Sequence, residues 1–143
     1  MPVPKLRCTL LVDDDDTTNY LNRKLLEKLD VTEQVLVALN GEEALQVLRT
    51  QCTEASLSCP ALVFLDINMP QMNGFEFLSA YEQLPLPQRG AIVIVMLTTS
   101  LHPQDLERLQ QFPVAGFLSK PLNKDKVNGI LHAHFRQQAQ PLE

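Results

Sequence analysis

The sequence predicts an α/β fold: a doubly wound, five-stranded parallel sheet of (βα)5 pattern. Three observations predict it. Five short apolar runs recur along the chain, helical periodicity separates them, and polar residues stand directly after four of the five. Near-continuous Val, Ile, Leu and Phe suit strands buried on both faces of a parallel sheet. Strand–helix alternation returns each crossover to the same sheet by a right-handed connection, with helices on both faces.

The runs are Arg7–Val12, Glu33–Leu39, Ala61–Leu65, Ala91–Leu97 and Val114–Leu118. After the first, Leu21, Leu25, Leu26 and Leu29 repeat at helical spacing. Asn40 precedes Gly41-Glu42-Glu43 and then Ala44, Leu45, Val47 and Leu48, a start resembling a capping box. Asn73 is placed to cap a third helix carrying Phe75, Phe77, Leu78 and Tyr81. Pro103 suits the first turn of a fourth, ahead of Leu106, Leu109 and Phe112. Asn123 opens a fifth, with Val127, Ile130, Leu131, His134 and Phe135 on one face. Thr50–Pro60 is a longer loop than its neighbours, and Gln137–Glu143 reads as a frayed tail.

A length of 143 residues corresponds to about one domain. Twelve Lys and Arg against seventeen Asp and Glu give a formal charge of −5. That balance argues against non-specific nucleic-acid binding and against attraction to an anionic membrane surface. With 45% apolar and 20% charged residues the chain can bury a core. No apolar run approaches the roughly 20 residues that span a bilayer. Met1–Lys5 leads into no apolar segment of a secretory signal. Cys8, Cys52 and Cys59 are odd in number and lack metal-type pairing, so they read as reduced thiols of a cytoplasmic protein.

Ligands of open parallel sheets bind outside the carboxyl ends of the strands. Those ends carry Asp13–Asp16 after the first run, Asp66 after the third, Thr98, Thr99 and Ser100 after the fourth, and Ser119 and Lys120 after the fifth. Asp13, Asp14 and Asp66 would converge, and three close carboxylates repel one another. A hard divalent cation removes the conflict, and Mg²⁺ keeps coordination positions open for a phosphoryl oxygen. Lys120 offers a point charge and Thr98 a hydroxyl for the remaining phosphoryl oxygens. An Asp carboxylate can itself be the nucleophile toward phosphorus. Taken singly, each feature has an ordinary reading: Asp15 and Asp16 as helix caps, Thr98 as a strand-end hydroxyl, Lys120 as a loop lysine. Their joint occurrence at one rim carries the argument. A calcium-binding EF-hand reading of the acidic run fails, because position six is Thr18 and position twelve is Lys24. His132 and His134 do not face each other on a helix, and Phe75 and Phe77 read as packing residues.

These segments resemble the receiver domain of two-component response regulators, including stand-alone chemotaxis regulators. The resemblance runs from Leu6 to Arg136. It rests on Leu11-Val12-Asp13-Asp14, on Phe64-Leu65-Asp66-Ile67-Asn68-Met69-Pro70-Gln71-Met72-Asn73-Gly74, on Met96-Leu97-Thr98-Thr99-Ser100 and on Phe117-Leu118-Ser119-Lys120-Pro121. It implies a flavodoxin-like sheet of order 2-1-3-4-5, with no output domain after the receiver. Asp66 would be the phospho-acceptor. Asp13, Asp14, Asp66 and the backbone carbonyl of Asn68 would hold Mg²⁺, for which Mn²⁺ could substitute. Thr98 and Lys120 would contact the phosphoryl group, and Thr98 with Phe117 would form the switch. The side chains of Asn68 and Ser100 hold positions that tune phosphate lifetime in the family, and Thr99 stands where a small residue is usual. Lys120–Pro121 is often cis in the family.

The implied function is phosphoryl transfer from a phosphohistidine to Asp66, which reshapes the face of the fourth helix, fifth strand and fifth helix (103–136). The implied partners are a sensor histidine kinase or histidine phosphotransferase, a downstream protein, and a second copy through that face. Neither nucleic acid nor membrane is expected. The chain would catalyse its own phosphorylation and not turn over a separate substrate. Two alternatives stand beside this one. One is a pseudo-receiver that binds without phosphorylation. The other is a haloacid-dehalogenase-type phosphatase using Asp13, with Asp15, Thr17, Thr98 and Lys120 in its motifs, which leaves Asp66 without a role.

Overall fold

The computed structural model describes residues 5–52, 59–67, 69, 72–84, 92–98, 104, 107, 111–112 and 114–135. The chain runs β1 (Thr9–Val12), α1 (Asp16–Leu29), β2 (Val35–Ala38), α2 (Gly41–Gln51), β3 (Leu62–Asp66), α3 (Gly74–Glu82), β4 (Val93–Thr98), β5 (Gly116–Ser119) and a C-terminal helix α4 (Lys124–His134). The strands form one parallel sheet in the order β2-β1-β3-β4-β5, as the family resemblance implies. Most of the helix expected from Pro103 to Phe112 lies outside the described residues, as does the tail from Gln137.

The two faces of the sheet hold separate cores. Leu10, Val12, Val63 and Leu65 pack with α2 and α3 through Leu45, Leu48, Phe77 and Leu78. Leu11, Leu62, Phe64, Val95 and Leu97 pack with α1 and α4 through Leu26, Val127, Ile130 and Leu131. Strand alternation divides the side chains in this way. The central strands β1 and β3 are buried throughout, and β4 nearly so. The edge strands depart from the fully buried expectation. β2 is half-buried over Val35–Val37, and β5 alternates, with Phe117 and Ser119 exposed. An edge strand has one neighbour and partial helix cover, so its outer residues meet solvent.

Helix starts follow the cap residues. Asn40, Asn73 and Asn123 each accept from the backbone N–H three residues on, and Asp15 accepts from Thr17 N–H. The box is complete only at Asn73, where Glu76 accepts in return from the Asn73 N–H. At α2 the Glu43 carboxylate accepts from Leu39 instead.

The structure settles which face of α1 is buried and corrects the reading of the cysteines. Leu21 does not face the core: it is 58% exposed, and Tyr20 beside it 59%. The buried stripe of α1 is Asn19, Asn22 and Leu26. These lie at i, i+3 and i+7 and share one helix face, whereas Leu21 sits about 100° away from Asn22. The reading of three reduced thiols fails. Cys52 and Cys59 form a disulfide, with Cα atoms 4.4 Å apart, while Cys8 is free and buried. Cys52 is the C-cap of α2 and Cys59 precedes β3. The crossover from helix to sheet therefore brings the two together, which a count of cysteines cannot reveal. Burial pushes the Cys8 thiol up to about 11, so it is protonated and unreactive at neutral pH.

Closing a loop of sequence separation 7 constrains the unfolded chain by about 2–3 kcal/mol. Reduction should lower Tm by roughly 5–10 °C in a domain of this size. Thiol titration of the denatured, unreduced protein should find one reactive cysteine, Cys8; three would refute the pairing.

Candidate functional site

Register assembles the site. Val12 pairs with Leu65, so Asp13 emerges beside Asp66. Asp66 pairs with Leu97, placing Thr98 one residue further out. Thr98 pairs with Ser119, placing Lys120 beyond it. Asp13, Asp66 and Thr98 are all buried, at 3%, 4% and 3% exposure, while Asp14 is exposed. Four strand ends thus deliver the predicted residues to one rim. Asn68, Thr99 and Ser100 lie outside the described residues.

Lys120 binds the site together. Its Nζ donates to Asp13 Oδ2 at 2.7 Å and lies 3.3 Å from Asp66 Oδ1. Its backbone N–H donates to the Thr98 carbonyl at 2.8 Å, and the following peptide bond to Pro121 is cis. Burial alone would push the Lys120 amine down; the hydrogen bond it donates to Asp13 and the charges of Asp66 and Asp13 outweigh that and raise it above 10.5. The lysine is therefore a cation at every physiological pH.

Asp13 is held on all sides. Its Oδ1 accepts from the Asp15 N–H at 2.9 Å, Oδ2 from Lys120, and its carbonyl from Asn19 Nδ2 at 2.8 Å. Its own N–H donates to Ala38 at 3.1 Å. Asp15 acts as the predicted cap: the Thr18 hydroxyl and Thr17 N–H hold its carboxyl below the ordinary 3.8. Behind Asp66, the Gly74 N–H donates to the Ile67 carbonyl at 2.9 Å. A Cβ on Gly74 would sit 2.8 Å from Met96 Cε and 3.1 Å from the Asp66 carbonyl oxygen, so glycine is what lets α3 approach this strand end.

Asp13, Asp14 and Asp66 each offer a carboxylate oxygen, and these atoms lie within 4.8 Å of one another. One lysine does not balance three carboxylates. An all-oxygen, net anionic donor set open on the Asp14 side fits a hard divalent cation. Phe117 sits on β5 at 43% exposure, paired in register with Met96. Beside Lys120, a groove of about 240 Å³ opens between α1 and the β5–α4 turn, lined by Leu21, Leu25 and Leu122 among others.

Two contributors escaped the sequence reading. Lys126 Nζ donates to the Ser119 and Pro121 carbonyls at 2.7 and 3.0 Å and to the Ser119 hydroxyl at 3.2 Å, tying down the turn that carries Lys120. A cation near a helix N-terminus opposes the helix dipole, and that misplacement was its signal. Asn19 is the other, a polar residue in line with Leu26 on the core stripe of α1.

The family's model for the response regulator receiver domain matches residues 9–132. The chain belongs to that family. A methanogenesis regulatory protein of Methanothrix harundinacea, named "Probable methanogenesis regulatory protein FilR2", is 35% identical over 115 residues, 80% of this chain and 72% of that protein. Among solved structures, a two-component response regulator from Cytophaga hutchinsonii superposes with a TM-score of 0.80 at 29% identity, covering 90% of this chain and 96% of that one. The bacteriophytochrome response regulator AtBRR gives 0.72 at 32% identity, covering 92% and 94%. The chain is thus a receiver domain of two-component signalling, a class that works with histidine kinases and downstream effectors. Among its described residues no helix is long and apolar enough to cross a membrane.

Removing Lys120 tests the electrostatics of the site. Lys120→Met leaves Asp13 and Asp66 facing each other, and should destabilise the metal-free protein at pH 7 by less than the roughly 3–5 kcal/mol of a fully buried pair, since the lysine keeps some water contact. A raised lysine stabilises fully below its unfolded value and loses that contribution as pH climbs past 10.5. Wild-type melts should therefore carry an alkaline loss above pH 10.5 that the variant lacks. Parallel pH profiles of the two proteins would refute this account.

Proposed function

We propose that Asp66 is the phospho-acceptor, receiving a phosphoryl group from a phosphohistidine of a sensor histidine kinase or histidine phosphotransferase. The observation that carries this is the single lysine bridging Asp13 and Asp66 at the carboxyl edge of the sheet. An Asp66 carboxylate oxygen forms the new O–P bond as the N–P bond of the phosphohistidine breaks, and the imidazole nitrogen takes up a proton. Lys120 stays charged throughout and faces the oxygens on which negative charge collects. Thr98 contributes a hydroxyl from the adjacent strand. Asp13, with both carboxylate oxygens and its carbonyl already engaged, orients the site.

Asp13, Asp14, Asp66 and the Asn68 carbonyl would hold Mg²⁺ or Mn²⁺. The bound ion would supply charge neutralisation for the transferring phosphoryl oxygens. The chain modifies itself and does not turn over a separate substrate.

The phosphoryl group adds about 1.5–2 negative charges at Asp66. Thr98 and Phe117 couple that charge to the surface. Thr98 is buried beside the acceptor, and Phe117, on the neighbouring strand, stands 43% exposed; Phe117 would turn inward if Thr98 moves toward the phosphoryl group. The face around β5 and α4 then differs between the two states, and a downstream protein or a second copy reads the difference.

Intact mass after incubation with acetyl phosphate and Mg²⁺ tests the reading. Wild type should gain about 80 Da, one phosphoryl group, and Asp66→Asn should gain none. A gain that persists in Asp66→Asn and disappears in Asp13→Asn would contradict it and favour the phosphatase chemistry. A protein that takes neither phosphate nor beryllofluoride would be a pseudo-receiver.

A further inference from the structure

We propose that Asn19 is a positioning residue for the acidic pair: its amide fixes the Asp13–Asp14 peptide, and through it the direction in which Asp14 meets a divalent cation. The inference rests on the metal reading above and concerns a residue that reading does not use. Asn19 is 3% exposed, on the face of α1 that packs against the sheet. An apolar side chain is the ordinary occupant of such a stripe, and Tyr20 and Leu21 stand exposed next to it. The buried amide is only half satisfied. Its Nδ2 donates to the Asp13 carbonyl at 2.8 Å, while its Oδ1 is buried with no hydrogen-bond partner. A buried, unpaired polar atom lowers stability. Asn19 is therefore poorly explained as a residue that holds the fold.

What it does hold is the peptide on which Asp14 is built. β1 ends at Val12, and beyond it the Asp13 carbonyl, the oxygen of the Asp13–Asp14 peptide, is held by the Asn19 amide. The Asp15 N–H, donating to Asp13 Oδ1, closes a turn over the same peptide, and the Asn19 amide is the contact made to the peptide oxygen itself. Asp14 is the exposed member of the three-carboxylate cluster and has no neighbour described that orients it. The Asn19 amide thus acts one bond removed from a ligand, as groups behind metal ligands commonly do. Loss of such groups typically costs about 10–100-fold in metal affinity.

The test is Mg²⁺ titration of the full chain, followed by amide chemical shifts, with melts recorded without metal. Asn19→Ala and Asn19→Leu should weaken Mg²⁺ binding roughly 10-fold or more, while both stay folded without metal, their Tm lowered only by the one hydrogen bond that the Asp13 carbonyl loses. Asn22→Leu, a change at the neighbouring buried asparagine, should leave the affinity within about twofold of wild type. Folded Asn19 variants that bind Mg²⁺ like wild type would overturn the proposal. So would failure of both to fold, which would assign Asn19 to the fold. Wild type and Asp14→Asn separate this from failure of the metal reading. If wild type binds Mg²⁺ and Asp14→Asn does not, only the role of Asn19 is at stake. If wild type binds none, both fall together.

Discussion

The site depends on one ammonium group placed between two buried carboxylates. Asp13 and Asp66 close adjacent strands at 3% and 4% exposure, where two ionised carboxylates could not both persist without a partner. Lys120 Nζ, 2.7 Å from one and 3.3 Å from the other, removes that conflict while leaving the cluster net anionic. Much of the surrounding structure serves that placement. The β4–β5 register, the Thr98 carbonyl and the triple grip of Lys126 hold the lysine's turn, and Gly74 lets α3 close in behind Asp66. Weakening any of these moves the charge balance of the site, not only the fold.

The same arrangement explains why a single negative group can be informative here. A site already carrying more acid than base would respond strongly to two further charges, because Lys120, the cation described at this rim, is committed to Asp13 and Asp66. On the proposed reading the response would pass to β4 and β5, which bear Thr98 and Lys120. β5 is the edge strand, with one neighbour and half its side chains exposed. A strand so placed has fewer packing partners to oppose a shift than β1 or β3.

Much of this was legible in the sequence because strands buried on both faces leave long apolar runs, and a charge directly after such a run must face a rim. Asp13, Asp66, Thr98 and Lys120 were found in that way, and their meeting follows from strand order and register. Asparagine caps likewise announced α2, α3 and α4 because a cap is a local interaction. What escaped reading was long-range or against type. The Cys52–Cys59 bond joins the end of α2 to the entry of β3, and pairing of that kind is a property of the crossover. In α1 the leucine spacing announces a helix but not its buried face: the stripe runs through Asn19 and Asn22, and Leu21 is exposed. Hydropathy assigns leucine inward, and the position of a strand-end carbonyl that needs a donor is invisible to it. Lys126 was missed for the converse reason: its partners are backbone carbonyls, which no sequence pattern displays.

The central claim is that Asp66 is where phosphorus bonds, with Lys120 and Thr98 around it. The most direct measurement is a crystal structure of the chain grown with Mg²⁺ and beryllofluoride. The account predicts beryllium bonded to an Asp66 carboxylate oxygen, fluorines contacted by Lys120 Nζ and the Thr98 hydroxyl, and the cation among Asp13, Asp14 and Asp66. An adduct on Asp13, or a Lys120 still bridging two unmodified carboxylates under saturating reagent, would contradict it.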